Sequence, residues 1–235
     1  RMKYRPILFS GPMVRALLDG SKTQTRRVVK PQPQMITDRT IKVWDGPSHA
    51  LQYQLERLGK VCPYGKPGDR LWVRETHYLH GIWSVRKDDD GKRRWTFHPN
   101  PEMGGQFTEP NGLINGRSTT VAGWYRRPSI HMPRWASRIT LEITGVRVER
   151  LRDISEADAI AEGVKWDECP TQQTEQSLAA QHMARRIGMA AHYEARIDYV
   201  GGYRRLWESI NGPESWDANP WVWVVEFKRV EGGAS

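Results

Sequence analysis

The sequence predicts an α+β fold, a small mixed β-barrel with flanking helices and long insertions. Three observations predict it: several short runs that alternate with a period of two, few segments of helical periodicity, and no regular strand–helix alternation of the kind a doubly wound sheet requires. Of the 235 residues, 38% are hydrophobic and 27% charged, a globular balance rather than that of a disordered chain. The whole chain, 1–235, reads as a single domain, with insertions at about 34–62, 79–130 and 166–203.

Arg5 to Ser10 reads as a strand, and Gly11-Pro12 then opens a helix with Met13, Val14, Leu17 and Leu18 on one face and Gly20 past its end. Lys22 to Val29, rich in Thr and Val, reads as a strand in which Thr23, Thr25 and Arg27 share a face. Residues 36–60 form an insertion with a helix near Leu51 to Leu58, and Pro67-Gly68-Asp69 is a turn that feeds a strand over Arg70 to Glu75. The stretch from Lys87 to Arg127, dense in Gly, Pro, Asn and charge, reads as a long excursion of hairpins and loops.

Ser137 to Arg150 is a bent strand or a hairpin, with Gly145 as the interruption. Ser155 to Asp158 has the form of a capping box, and the short helix it starts ends at Gly163, which puts Glu162 on the last turn. A polar helical stretch follows over about 172–196, then a helix from Tyr203 to Ile210 and a strand from Trp221 to Phe227.

Lys and Arg outnumber Asp and Glu by 36 to 27, a formal charge of +9 that attracts phosphate without specifying a sequence. Eleven Trp against four Phe leave room for indoles that stack on bases, although several sit in strand-like runs and belong to the core. Cys62 and Cys169 fit neither a zinc-finger spacing nor a disulfide framework, and Cys62 is expected to be a small buried residue. His77, His80 and His131 lack acidic or Cys partners at ligand spacing, so no metal or cofactor is expected. Residues Arg1 to Gly20 lack the apolar core of a signal peptide, and no stretch has the apolar length of a membrane span. The expectation is therefore a cytoplasmic protein with no membrane partner.

The run Gly20-Ser21-Lys22-Thr23-Gln24-Thr25-Arg26-Arg27 resembles the Gly-x-Lys-x-x-Thr-x-Arg pattern of ASCH domains and stands where that family has it, directly after the first helix. Gly68-Asp69-Arg70-Leu71, Ile154-Ser155-Glu156 to Glu162-Gly163-Val164 and Val224-Val225-Glu226-Phe227 occur in the family's order. Pro63-Tyr64-Gly65, Trp72-Val73-Arg74-Glu75 and His131-Met132-Pro133-Arg134-Trp135 are similar to runs in the longer phage and prophage members, so the resemblance covers most of the chain. It implies a PUA-like barrel with a cleft between barrel and helices and, for a phage-encoded protein, a bacterial host cell. It also implies one of three activities: amide hydrolysis of N4-acetylcytidine, RNA cleavage, or RNA binding without chemistry.

Carried over position by position, the catalytic set of the small N4-acetylcytidine amidohydrolases is Lys22, Thr25 and Glu162, with Arg27 matching the motif Arg. Arg26 departs from the apolar residue usual there, and the insertions more than double the length of those enzymes. In this set Thr25 supplies a hydroxyl nucleophile, and Lys22 takes its proton if burial and the neighbouring arginines lower its pKa. Glu162 orients the amine or carries the proton to the leaving nitrogen. Arg27 and Arg26 suit a phosphate or a base carbonyl, Glu75 at its strand end either enters the same cleft or pairs with the neighbours of Arg74, and Trp72, Trp124 and Trp135 lie beside arginines as a stacking surface would. The expected partner is a nucleoside or nucleic acid, RNA ahead of DNA; the oligomeric state is not legible.

Overall fold

The computed structural model describes residues 1–37, 40–57, 61–165, 171–172 and 196–230. In chain order its elements are β1 (Tyr4–Leu8), α1 (Gly11–Leu18), β2 (Gln24–Val28), β3 (Gln34–Thr37), β4 (Thr40–Val43), α2 (Ser48–Arg57), β5 (Arg70–Arg74), β6 (His77–Lys87), β7 (Arg93–Pro99), β8 (Gly105–Gln106), β9 (Gly123–Arg127), β10 (Thr140–Arg150), α3 (Glu156–Ala161), β11 (Thr171–Gln172), β12 (Arg196–Ile197), α4 (Tyr199–Asn211) and β13 (Trp221–Val230). The class is mixed α+β. Among the described residues no helix is long and apolar enough to cross a membrane.

The chain forms two compact units. The first comprises Arg1–Arg15, Pro63–Ile143 and the chain end from Lys228; the second comprises Ala16–Cys62 and Thr144–Phe227. In the first, β5 lies between β1, its parallel partner, and the start of β10, its antiparallel partner. The excursion after β5 builds a second sheet in which β6 pairs with β7, β8 and β9, all antiparallel. Leu79, Met132 and Ala136 form its small core, with Phe97 and Phe107 against them.

In the second unit β13 pairs antiparallel with β2, in the order β10-β13-β2. Both faces of β13 are buried, since Val222 and Val224 are as covered as Trp221, Trp223, Val225 and Phe227. Val222 and Val224 pack with Leu151, Ala159, Tyr203, Trp207 and Trp216. Burying each large apolar side chain contributes about 1.5–3 kcal/mol, so this cluster fixes α3 and α4 on the sheet.

Two expectations change. The strands form open sheets rather than a barrel: the order is β1-β5-β10-β13-β2, and among the described residues β1 and β2 are edges. Alternation shows that a strand has two faces, but not whether the outermost strands meet. The Ser137 to Arg150 run is one strand of 11 residues that continues through Gly145, not a hairpin. The helical stretch over 172–196 lies outside the described residues except at its ends, which pair as β11 and β12.

The capping box forms, with Ser155 Oγ accepting from Asp158 N at 3.1 Å. Glu162 is the C-cap of α3, and Gly163 follows at φ +87°, in the left-handed region. A Cβ on Gly163 would stand 2.9 Å from Ala16 Cβ and 3.1 Å from Lys22 Cβ. Gly163→Ala is therefore expected to cost about 1–3 kcal/mol of stability, read as a lower urea midpoint; an unchanged midpoint would contradict this close approach.

Candidate functional site

Lys22 is placed by backbone bonds on both sides of its segment. After Gly20, at φ +82°, Lys22 N donates to Ala16 O, and Thr23 N donates to Ala161 O at the end of α3. Thr23 O accepts from Phe227 N of β13, and Lys22 forms an isolated bridge with Glu162. A segment held between a helix end and a sheet edge has little freedom to move its side chain.

Lys22 Nζ donates to Glu162 O at 2.7 Å and to Glu162 Oε2 at 2.9 Å. Glu162 Oε1 accepts from Arg26 Nη1 at 3.3 Å. Relative exposures are 3% for Lys22, 2% for Glu162 and 3% for Arg26, so two cations share one buried carboxylate. Arg26 is satisfied further on, with Nε donating to Glu149 Oε1 at 2.9 Å and Nη2 pairing with Asp158 Oδ2 at 3.1 Å. Arg147 closes the network through Glu149 Oε2 at 3.1 Å, Asp158 Oδ1 at 3.0 Å and Glu226. Side-chain exposure rises along this path from 0% at Lys22 to 45% at Glu226.

Desolvation pushes the Lys22 pKa below its usual value, Glu162 opposes the change, and Arg27 and Arg26 add to it. Tyr203 on α4 lies under the Arg26 guanidinium, with Cζ 5.8 Å from its ring centroid. Burial, then the Glu162 carboxylate, hold the Tyr203 hydroxyl well above its usual pKa. Burial disfavours the Asp158 carboxylate, but Arg26 and the other donors outweigh it and lower its pKa.

The structure brings Lys22 and Glu162 together and adds Arg26, whose donors already hold three carboxylates. Arg26 can meet a substrate only by releasing them. Thr25 is buried at 2%, but no hydrogen bond joins its hydroxyl to Lys22 or Glu162 among the described residues. The register explains why: Thr25 stands opposite Val225 and Arg27 opposite Trp223, whereas Arg26 stands opposite Val224, which packs with Tyr203. Thr25 and Arg27 thus share the face of β2 away from Arg26.

Glu75, Trp72 and Trp135 belong to the first unit. Glu75 is held bidentately by Arg138, at 3.0 Å from both Nε and Nη2, and Arg138 also lies 3.9 Å over the Phe107 ring. Trp72 carries the Arg74 guanidinium at 5.4 Å, and Trp135 is 45% exposed. His77 Nδ1 donates to Glu75 O, His80 meets Trp124 edge-on, and Cys62 is buried. The first unit also holds an open polar cleft of about 740 Å³ between Tyr78, Arg126 and the loop from Glu109 to Asn115; no sequence-predicted site residue lines it.

Sequence reasoning missed Glu149, Arg147 and Tyr203. The signal was present in Arg147 and Glu149, two charges sharing one face of a strand whose neighbours are apolar.

Removing the Glu162 carboxylate takes the carboxylate partner from buried Lys22 and one of three from Arg26, so Glu162→Ala is expected to cost about 3–5 kcal/mol by chemical denaturation. The folded protein releases the Lys22 proton at lower pH than the unfolded chain, so the unfolded state binds more protons in between and stability rises as pH climbs through that interval. Tyr203 reverses the sign above pH 10, where the unfolded phenol ionises first. Lys22→Met is expected to flatten the rise below pH 10, and a wild-type slope in that variant would contradict the assignment. Compared with protein-family models, with curated proteins and with solved structures, the chain finds no match.

Proposed function

We propose that Lys22 and Glu162 are the proton-handling pair of a hydrolase that cleaves the amide of an N4-acylated cytidine, free or within nucleic acid. The observation that carries this reading is a fully buried lysine whose ammonium is disfavoured by desolvation and whose Nζ is held by the Glu162 carboxylate. Such an amine is available as a base closer to neutrality than an exposed lysine. Membership of the ASCH family and a PUA-like arrangement of the strands are part of the same proposal and rest on the motif from Gly20 to Arg27.

Chemically, an oxygen nucleophile attacks the acyl carbon, and its proton passes to the neutral Lys22 amine. The C–N bond breaks as that proton is delivered to the cytosine N4, giving cytidine and a carboxylic acid. Glu162 fixes the amine between steps, and Arg26 holds the other Glu162 carboxylate oxygen. With Thr25 as nucleophile an ester forms and a water molecule then hydrolyses it; with water as nucleophile the acid forms directly. The role of Thr25 rests on the resemblance alone, because its side chain lies away from Arg26.

That placement favours a second reading, a module that holds a modified base without chemistry. Following N4-acetylcytidine by chromatography separates the two. Turnover by the wild type and a loss of roughly 10²–10⁴-fold in Lys22→Met, with the fold intact by circular dichroism, are expected for the hydrolase. Full turnover in Thr25→Ala assigns the attack to water. No turnover by the wild type, together with salt-dependent binding that Arg27→Ala weakens, would leave only the binding module.

A further inference from the structure

One face of the sheet in the first unit carries cations that have no ion pair among the described residues. Cross-strand pairing puts Trp83 opposite Phe97, Val85 opposite Trp95 and Lys87 opposite Arg93, so these side chains and Gly81 share one face of β6 and β7. Leu79 opposite Tyr125 and His77 opposite Arg127 extend the face onto β9. At the Leu79 end it is core; towards Lys87 it emerges, the residues of β6 passing from buried to half-buried to exposed.

On the emerging part, Arg117 Cζ lies 5.0 Å from the Trp83 ring centroid and 5.4 Å from that of Trp95. Arg127 Cζ lies 4.8 Å from the same Trp83 centroid and 4.4 Å from that of Phe97. Trp83 touches Trp95, Phe97 and Tyr125 edge-on or tilted, which sets the ring orientations. Gly81 makes room for this: a Cβ there would stand 2.6 Å from Phe97 Cζ and 2.3 Å from His98 O.

Among the described residues neither Arg117 nor Arg127 is paired with a carboxylate, and burial, then Arg117, push the Arg127 pKa down. Lys87 and Arg93 stand directly opposite one another and are likewise without an ion pair among the described residues. Like charges directly opposed across an antiparallel pair are destabilising. In the second unit every cation of the buried network has its carboxylate; here four cations on one face have none, and partly exposed aromatic rings lie between them.

We propose that this face of β6, β7 and β9 binds single-stranded nucleic acid, with phosphates on Arg127, Arg117, Arg93 and Lys87 and unpaired bases against Trp95 and Trp83. Charge complementarity selects a polyanion, and the interleaved rings select one that presents free π-faces, which a duplex keeps stacked inside. The inference does not depend on the chemistry assigned to Lys22.

Fluorescence anisotropy of a labelled oligouridine of about 16 nucleotides, titrated at several salt concentrations, tests it. Binding is expected with a slope of log K against log salt of about −3 for four phosphate contacts, and each of Arg117→Ala and Arg93→Ala is expected to reduce the slope by about 0.7. Trp95→Ala is expected to weaken binding roughly tenfold at an unchanged slope. Arg117, Arg93 and Lys87 are exposed, so their loss leaves the sheet intact. Wild-type affinity in both Arg117→Ala and Trp95→Ala, or equal competition by polyglutamate or by the matching duplex, would each overturn the proposal.

Discussion

The second unit is organised around one constraint: two cations and a carboxylate have been taken out of water together. Moving each ion into the interior costs several kcal/mol after relaxation, and only close, well-directed partners offset that cost. Glu162 spends both carboxylate oxygens, one on Lys22 and one on Arg26, and its own carbonyl takes a second bond from Lys22. Lys22 has its carboxylate from Glu162, whereas Arg26 draws on Glu149 and Asp158 as well, and the surrounding geometry follows from the Lys22–Glu162 pair. The helix must end at Glu162, so a glycine follows in the left-handed region, and no side chain can stand between that glycine and Lys22.

The network that continues from Arg26 resolves an imbalance. Lys22 and Arg26 together exceed the single charge of Glu162, and Glu149 and Asp158 supply the remainder, tied in turn to Arg147 and Glu226 at the surface. Each cation thus meets at least one carboxylate from interior to solvent, three cations against four carboxylates in all. The same pairing makes Arg26 an occupied residue, available to Glu162 rather than to an incoming phosphate, while burial disfavours the charged form of Lys22.

Much of this was legible in the sequence, for identifiable reasons. The Gly20 to Arg27 turn, the capping box at Ser155 and the stop at Gly163 are local signals: Glu162 closes α3 as its C-cap, whereas Lys22, read as the first residue of a strand, stands ahead of β2 as an isolated bridge. Thr25 was assigned to the Arg27 face by the same alternation, and the register agrees; what alternation could not supply is that this face lies away from Arg26. The long strand β6 escaped notice because its run of His, Tyr, Leu, His, Gly, Ile, Trp and Ser has no clean polar–apolar alternation: its inner face carries a glycine for close approach and its outer face carries rings. Glu149 and Arg147 alternate onto one strand face in the sequence, but which arginine the half-buried Glu149 carboxylate would hold depends on the pairing across the sheet.

The excess of nine positive charges is not spread evenly in its consequences. Where a cation is buried in the second unit it is matched, and it contributes a fixed internal field rather than attraction for a partner. Where cations stand on the emerging face of β6 and β7 they oppose one another and lean on aromatic rings, an arrangement that costs stability in the isolated chain. Stacking on indole recovers part of that cost, since a guanidinium over a ring is worth about 0.5–2 kcal/mol, but it leaves the charge itself in place. Charge left in place at a surface is what a polyanion meets first, whereas charge that is already paired is what holds a reactive amine still. One arginine-rich composition therefore serves two physical ends, and the position of the carboxylates, not the number of arginines, decides which end each residue serves.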